Sequence, residues 1–500
     1  MSEIRVTYTG LLSFAVAIIT AITGSLFTLI LTRMLTQQEF GTWGLIGGIT
    51  QYVILFSTII AYWSTRDTAR KIDSGKTAIL GNTLLAIFAV ITYIIISYFL
   101  SVETDTELNV LIFSVILIPV MFFGGLFTAI TLGWKPHVIS YGLLGSAISQ
   151  IIFTTLFVYF LDFGINGVIL ANFLSHLINT IILIRYSYHK IVKKINFNYL
   201  RRWFKLSWIP LYPAIPVMIG ALGISIFSVM TGSVSGLSFW TASIAVSAII
   251  VQVSVISKAV YPKLLENNIT HYLRDNISQL FFFNFLLTGI IVVFARPALY
   301  ALNPIYADAY FVTIVLAINN FFSVISMVSV QNLEGTEKVD LNENASMKSF
   351  MKSQLFYPHT LRLVQTIAST IILLMGFTFL INSNASELDL LIFWALTVLF
   401  TQIPISLSLF FKMIKNVQIS LDYIAILKYA GITIVAYIPL FLILENYLIY
   451  DSNVFFFVPN VLLFFTVGIG FFIGISYIVD KPTRRLIASI IKEIKSKQSK

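Results

Sequence analysis

Residues 46–63 read IGGITQYVILFSTIIAYW, and residues 66–80 read RDTARKIDSGKTAIL. The first stretch carries no charged side chain and has nearly the length of a helix that crosses a bilayer. The second gathers four cations and contains Gly-Lys-Thr at 75–77, which is typical of the end of a nucleotide-binding loop. That motif requires a glycine five positions before Gly75, where Arg70 stands. We therefore interpret the two stretches as a membrane span followed by a cationic loop.

The composition extends this interpretation to the whole chain. Of the 500 residues, 58% are hydrophobic and only 11% are charged, whereas a soluble protein carries about a quarter charged residues. Apolar runs long enough to span a bilayer recur from end to end. The net charge of +10 comes from cations in short loops between these runs, a pattern that orients membrane helices and argues against nucleic-acid binding.

Fourteen apolar spans are predicted along the chain. Their residues are 10–32, 41–63, 78–100, 108–132, 138–160, 164–184, 206–230, 236–256, 277–300, 310–330, 358–381, 390–411, 422–444 and 454–479. If the N-terminus is cytoplasmic, nearly all loop cations fall on the inner side, and Arg33 alone lies in an outer loop. Because cation bias sets the orientation of membrane helices, the sequence predicts an all-α polytopic protein with both termini in the cytoplasm.

The chain divides after the sixth span. The basic, aromatic segment 189–205 follows that span, and residues 229–245 resemble residues 33–49 in character. Such a parallel repeat predicts two six-helix lobes, an arrangement found in transporters. The basic segments 189–205 and 481–497 are predicted to lie on the membrane surface. The predicted domains are 1–205, 206–411 and a C-terminal helix pair with its tail, 412–500.

Chemistry that an enzyme would need is missing from the sequence. The predicted outer loops have at most nine residues, and the longer inner loops lack the spacing of a metal or nucleotide-sugar site. The chain has no cysteine, and its five histidines form no His-Glu-x-x-His motif. We therefore predict a protein that is not an enzyme and holds no metal or cofactor.

Cations dominate the predicted membrane boundary. None of the 22 acidic residues falls in the middle of a predicted span, which argues against an antiporter built around a buried carboxylate. Arg66 and Arg70, four residues apart, share a helical face. Towards the membrane the same face continues with Tyr62, Thr58, Leu55 and Gln51. This pattern predicts a basic inner mouth for a phosphate head group; in the alternative, these arginines only orient the span, and Asp67 pairs with Lys71.

Further polar residues complete the candidate site. Arg33 and Arg296, near the predicted outer ends of spans one and nine, would receive the phosphate after transfer. Candidate sugar contacts are Gln51, Gln150, Asn172 and His176. Polar residues within membrane helices also commonly hydrogen-bond neighbouring helices, and this structural role is the alternative for each of them.

Three short motifs resemble those of polysaccharide-unit flippases. In LTRMLTQQEFGTWGLI, 31–46, Glu39-Phe40-Gly41 precedes an aromatic residue at Trp43. AVYPKLLE, 259–266, resembles the segment that closes span eight of these proteins, and NLEGTEK, 332–338, resembles the turn after their span ten. Polysaccharide-unit flippases belong to the multidrug/oligosaccharidyl-lipid/polysaccharide exporter superfamily.

The resemblance implies a fold and a function. It implies two six-helix lobes in a V, two added C-terminal helices, and alternating access that moves an oligosaccharide on a polyprenyl (pyro)phosphate to the outer leaflet. In related peptidoglycan-precursor flippases the added helices form a groove for the lipid tail, a role we expect for spans 13 and 14. One departure is residues 223–232, which lack the charges that family members often place there.

The sequence thus predicts a plasma-membrane flippase for lipid-linked oligosaccharides in surface polysaccharide or glycoprotein assembly. Its predicted partners are this substrate, membrane lipids and glycan-assembly enzymes. Two alternatives stay open: a cation-coupled antiporter of drugs or metabolites with the same fold, and a membrane scaffold for glycan-assembly enzymes.

Overall fold

The computed structural model describes residues 6–254, 270–335, 347–417, 422–480 and 483–484. Within these ranges the secondary structure is helical throughout. The α-helices are α1 (Val6–Met34), α2 (Gln37–Ile54), α3 (Ser57–Ala69), α4 (Gly75–Glu103), α5 (Leu108–Phe113), α6 (Leu117–Trp134), α7 (His137–Thr154), α8 (Gly164–Ile191), α9 (Phe197–Lys205), α10 (Trp208–Thr231), α11 (Ser235–Ser247), α12 (Thr270–Leu302), α13 (Tyr310–Gly335), α14 (Met347–Met351), α15 (Tyr357–Asn382), α16 (Glu387–Val417), α17 (Tyr423–Tyr447) and α18 (Val454–Val479).

A helix or helix pair lies at each of the fourteen predicted spans. In the described parts of the chain, twelve helices are long and apolar enough to cross a membrane. The 29-residue α1 lies at the first predicted span, and α2 with α3 lies at the second. These observations confirm the all-helical membrane fold, while the number of crossings and the sidedness of the termini stay predictions.

The second span is broken, which the sequence analysis does not predict. Helices α2 and α3 meet at an angle of 57°. Two hydroxyls bond to carbonyls at the break: Ser57 Oγ donates to Ile54 O at 2.7 Å, and Thr58 Oγ1 donates to Leu55 O at 2.6 Å. Carbonyls that leave a helical ladder inside a membrane need such partners. The predicted polar stripe from Arg66 to Gln51 therefore does not follow one straight helix face.

The chain forms two compact units. The first comprises residues 1–245 and 339–401. In it, Tyr52 of α2 donates a hydrogen bond to Ala221 O of α10 at 2.9 Å and is 2.8 Å from Ser225 Oγ. Trp240 of α11 stacks on Trp394 of α16 with ring centroids 3.9 Å apart. Helices from both predicted lobes thus pack together in this unit, and the predicted domain boundaries remain predictions.

The second unit comprises residues 246–338 and 402–500. Here α17 and α18 pack against α12 through aromatic rings: Phe282 lies 5.5 Å from both Tyr429 and Phe472. Tyr437 of α17 donates a hydrogen bond to Leu286 O of α12 at 2.9 Å. The C-terminal helix pair is therefore an integral part of this unit.

The structure describes one of the two segments that are predicted to lie on the membrane surface and only two residues of the other. In the segment 189–205, a helix forms over Phe197–Lys205, capped by Asn196, whose side chain accepts a hydrogen bond from Asn198 N. The segment 481–497 lies outside the described residues except for Thr483 and Arg484.

Candidate functional site

The basic end of α3 is built by a helix-terminating turn. Lys71 adopts a left-handed conformation with φ of 62°. Its N–H donates to Thr68 O at 3.0 Å, and the N–H of Ile72 donates to Asp67 O at 2.8 Å. This hydrogen-bond pair ends a helix by satisfying its last carbonyls. It leaves Arg70 exposed at the end of α3 and turns Lys71 away from the helix axis.

Arg66 lies one turn before this end. Its guanidinium carbon is 4.5 Å from the centre of the Tyr62 ring, so the arginine stacks on a residue of its own helix. Arg66 is half-buried and Arg70 is exposed. The structure therefore brings this predicted pair together on one helix, while Gln51 is exposed on α2, beyond the break.

The Gly-Lys-Thr sequence has a packing role. A Cβ at Gly75 would overlap the backbone carbonyl of Lys190, so only glycine allows α4 to begin this close to the end of α8. Thr77 is buried, and its Oγ1 accepts a hydrogen bond from Asn196 N at 2.9 Å. These contacts tie the start of α4 to the segment that precedes α9.

The most buried ion pair of this region joins Asp67 of α3 to Arg202 of α9. Both carboxylate oxygens of Asp67 accept hydrogen bonds from Arg202 Nη2, each at 2.8 Å. The Asp67 side chain is only 3% exposed, whereas that of Arg202 is 40% exposed. The expected pairing of Asp67 with Lys71 is therefore wrong, because Asp67 faces α9 and Lys71 lies past the end of the helix. A second ion pair, Lys193 to Asp73 at 2.8 Å, is more exposed.

The hydrogen bond from the Lys193 ammonium lowers the pKa of the Asp73 carboxyl and raises that of Lys193. A lowered carboxyl pKa means that this contact is present at neutral pH and is lost on acidification through that pKa. Both groups lie at the surface, so the pair serves as a local link between the loop after α3 and the loop before α9.

Trp203 anchors α9 in the core of the first unit. Its side chain is fully buried in a hydrophobic cluster. The buried residues around it come from α3, α4, α6, α7 and α8: Ile59, Ile60, Ala78, Leu126, Phe127, Ile130, Val138 and Leu183. Sequence periodicity did not single out Trp203 or Arg202, although both belong to the predicted surface segment 189–205.

Removal of Arg202 is expected to destabilise the first unit. In Arg202→Ala the buried Asp67 carboxylate loses its ionic partner, which costs about 1–3 kcal/mol. The measurement is the apparent melting temperature of the purified protein in detergent. Arg201→Ala, which removes the exposed neighbouring arginine, is the matched control and should leave the melting temperature nearly unchanged.

A compensating variant separates charge from packing. Asp67→Asn combined with Arg202→Ala removes both charges and should restore part of the melting temperature lost in Arg202→Ala. Equal melting temperatures for the wild type and Arg202→Ala would contradict a structural role for the ion pair.

The polar residues of α7 and α8 form a second set. Asn172 is buried, and His176 and Gln150 are half-buried. A Cβ at Gly142 of α7 would overlap Asn179 Oδ1 of α8, so these helices approach closely around a polar side chain. This contact shows that a polar residue of α8, three positions after His176, packs between the two helices. Among the residues that the structure describes, no three His, Asp or Glu side chains cluster as metal ligands.

Arg33 and Arg296 lie in different units. Arg33 is half-buried in the last turn of α1. Arg296 is exposed on α12, with its guanidinium carbon 5.8 Å from the centre of the Tyr450 ring. Their predicted role in receiving the phosphate stays a prediction.

The Glu-Phe-Gly motif makes contacts between helices at the predicted outer end of the first unit. Glu39 forms a capping box with Thr36 and accepts a hydrogen bond from Ile165 N at 3.3 Å. A Cβ at Gly41 would overlap the backbone carbonyl of Val234. Val234 N in turn donates to Asp105 Oδ1 at 3.0 Å. The two repeat segments predicted from the sequence thus meet directly, and glycine is needed at their contact.

The second unit contains an apolar groove of about 520 Å³. Helices α12, α13 and α17 line it with Phe285, Thr288, Gly289, Val292, Val293, Ile314, Ile318, Phe321, Phe322, Thr433, Ile434, Tyr437, Ile438 and Phe441. Of the C-terminal pair, α17 contributes lining residues and α18 contributes none of these. The role of spans 13 and 14 in holding a lipid tail stays a prediction.

Comparisons with known proteins reveal the fold. No family model and no curated protein matches the sequence. Among solved structures, a MATE transporter in its straight conformation matches with a TM-score of 0.57 and 14% identity over 83% of this chain and 95% of its own.

Two conformations of a multidrug resistance MATE family transporter of the MOP superfamily are also similar. The inward-facing one has a TM-score of 0.56 and 14% identity over 80% of this chain and 98% of its own. The outward-facing one has a TM-score of 0.54 and 14% identity over 82% of this chain and 95% of its own. The chain therefore has the fold of MATE transporters.

Proposed function

We propose that this protein is a flippase that moves polyprenyl-(pyro)phosphate-linked oligosaccharides across the plasma membrane. It acts without catalysing a covalent reaction. Two lobes rock so that a central cavity opens first to the cytoplasm and then to the outside. The occurrence of this fold in inward- and outward-facing conformations supports such a cycle.

The apolar groove is the observation that carries the proposal. Its lining is made almost entirely of aliphatic and aromatic side chains, with one wall from α17 of the C-terminal pair. Because lipid tails are as apolar as such a surface, a hydrocarbon chain would gain free energy there from close van der Waals packing and not from leaving water. A polyprenyl tail fits this description better than a compact drug, whose site also needs placed polar groups.

The charges at the end of α3, taken by themselves, suit a phosphate head group. Arg66 and Arg70 stand at the predicted cytoplasmic end of α3. Guanidinium groups bind phosphate oxygens through strong, charge-assisted hydrogen bonds. The Asp and Glu residues of the described helices lie within six residues of a helix end, so the apolar middle of these helices carries no carboxylate for a cationic cargo or ion.

Cation-coupled drug export is the competing function. The fold favours it equally, since one similar structure is a multidrug resistance transporter. The two functions differ in cargo and in the need for an ion gradient, which makes them separable in liposomes.

The experiment is a transfer assay with purified protein in liposomes. A fluorescent polyprenyl-pyrophosphate oligosaccharide is placed in one leaflet, and an impermeant quencher reports how much reaches the other. Parallel vesicles with a Na⁺ or H⁺ gradient are tested for uptake of a cationic dye. We expect protein-dependent transfer of the glycolipid; dye uptake without glycolipid transfer would contradict the proposal.

Filling the groove is expected to slow transfer of long-chain substrate. Ile318→Trp adds an aromatic ring to the groove wall and occupies space that a polyprenyl tail would use. A glycolipid with a short prenyl chain should be much less affected, since it covers less of the groove. The rates of both substrates are measured in the same transfer assay.

Val435→Trp is the matched control for this variant. Val435 is 59% exposed on α17 and is not among the groove residues. Its substitution should leave both rates unchanged. Equal slowing of the long and short substrates by Ile318→Trp would contradict the role of the groove in holding the tail.

A further inference from the structure

The exposed side of α9 has a composition that packing within the protein does not explain. Trp203 and Arg202 tie the helix to the first unit, and Tyr199 lies one turn before Trp203 on the same side. On the opposite side, Phe197 is 68% and Phe204 is 40% exposed, next to the exposed cations Arg201 and Lys205. The helix therefore presents aromatic rings and positive charges together, away from the core.

The loop before α9 continues this surface. Val192 and Ile195 are exposed, as are the neighbouring Lys193 and Lys194. The sequence from residue 164 to residue 205 contains no acidic residue. The carboxylates that pair with this surface come from elsewhere in the chain: Asp73 pairs with Lys193, and Asp67 pairs with Arg202. Lys194, Arg201 and Lys205 have no acidic residue within their own segment.

The location of the surface specifies its surroundings. The loop and α9 connect the end of α8 with the start of α10, and both helices are long and apolar enough to span a membrane. The surface therefore lies at the boundary where hydrocarbon gives way to head groups. Aromatic rings favour that depth, and clusters of lysine and arginine there attract anionic lipids.

We propose that Val192–Lys205 forms a binding surface for anionic phospholipids, with Phe197 and Phe204 inserted below the head groups and Lys194, Arg201 and Lys205 contacting phosphates. Contacts of Asn196, Arg202 and Trp203 hold this surface rigidly to the first unit. The partner is the lipid leaflet itself, and the inference is independent of the transported substrate.

The absence of cysteine in the sequence allows a site-specific test. Asn198→Cys, at an exposed position of α9, is labelled with a small environment-sensitive fluorophore. The protein is reconstituted into phosphatidylcholine–phosphatidylglycerol vesicles in which either the anionic or the zwitterionic lipid is brominated. Asn382→Cys, exposed at the end of α15, is labelled in parallel as the control site.

We expect brominated phosphatidylglycerol to quench the α9 label about twofold or more above brominated phosphatidylcholine, given the attraction of each nearby cation for anionic lipid. The preference should shrink in high salt and disappear in Lys194→Glu/Arg201→Glu/Lys205→Glu. Phe197→Ser/Phe204→Ser should weaken quenching by both lipids. The control site should show no preference.

Two results would overturn the inference. Equal quenching of the α9 label by both lipids would mean that the cations select no anionic lipid. No quenching by either lipid would place the surface in water, where a protein partner would be the better explanation. A melting temperature equal to that of the wild type shows that each variant is folded.

Discussion

Trp203→Ala is expected to destabilise the protein by about 3–5 kcal/mol, the usual cost of deleting a fully buried tryptophan. The indole is completely buried against side chains from several helices. Its removal leaves a cavity and loosens α9 from α3, although the Asp67–Arg202 ion pair stays in place. The measurement is the apparent melting temperature in detergent, with the fraction of monodisperse protein as a second readout.

The next residue provides the matched control. Phe204 is 40% exposed, so Phe204→Ala removes a similar aromatic side chain from the same helix without opening the core. Its melting temperature should change by much less. Trp203→Phe should fall between the wild type and Trp203→Ala. Similar small changes in all three variants would contradict the docking of α9 through Trp203.

Arg66→Ala/Arg70→Ala is expected to reduce glycolipid transfer at least about tenfold. A charge-assisted hydrogen bond contributes about 1.5–3 kcal/mol, and about 1.4 kcal/mol corresponds to a factor of ten. Both side chains end near the predicted cytoplasmic boundary, where a pyrophosphate would enter. The transfer rate in liposomes is measured together with the melting temperature, which reports any stability lost with the contact between Arg66 and Tyr62.

A second double variant tests whether general charge explains the effect. Lys71→Ala/Lys76→Ala removes two exposed cations, one from the turn after α3 and one from the first turn of α4, both on the same predicted side of the membrane. It should retain most of the transfer activity if Arg66 and Arg70 act on the substrate. Equal losses in the two double variants would indicate that these arginines serve membrane orientation.

Hydropathy and charge predicted the helical elements well. Each span is a long apolar segment, and such segments in lipid must satisfy their own backbone hydrogen bonds by forming helices. The break after Ile54 was missed, since no proline marks it and hydroxyls of Ser57 and Thr58 bond the carbonyls there. A hydropathy average over a span does not detect a break at which side-chain hydroxyls bond backbone carbonyls.

Contacts between distant parts of the sequence were harder to predict. Asp67 and Arg202 are 135 positions apart, and only the folded chain shows that they meet. An i to i+4 rule favoured Lys71 instead, but the left-handed turn at Lys71 removes it from that helical face. The basic, aromatic composition of the segment 189–205 predicts a helix on the membrane surface. The structure has a helix over Phe197–Lys205, anchored at Trp203, and its contact with the membrane stays a prediction.

The most direct test of the central claim combines two proteins with two substrates. Transfer rates are measured for the wild type and for Arg66→Ala/Arg70→Ala, with a pyrophosphate-linked glycan and with the same glycan on a phosphate-free polyprenol. We predict that the wild type transfers the pyrophosphate-linked substrate faster by about tenfold or more, and that the double variant loses this discrimination. Equal wild-type rates for both substrates, or no transfer of either, would contradict the account.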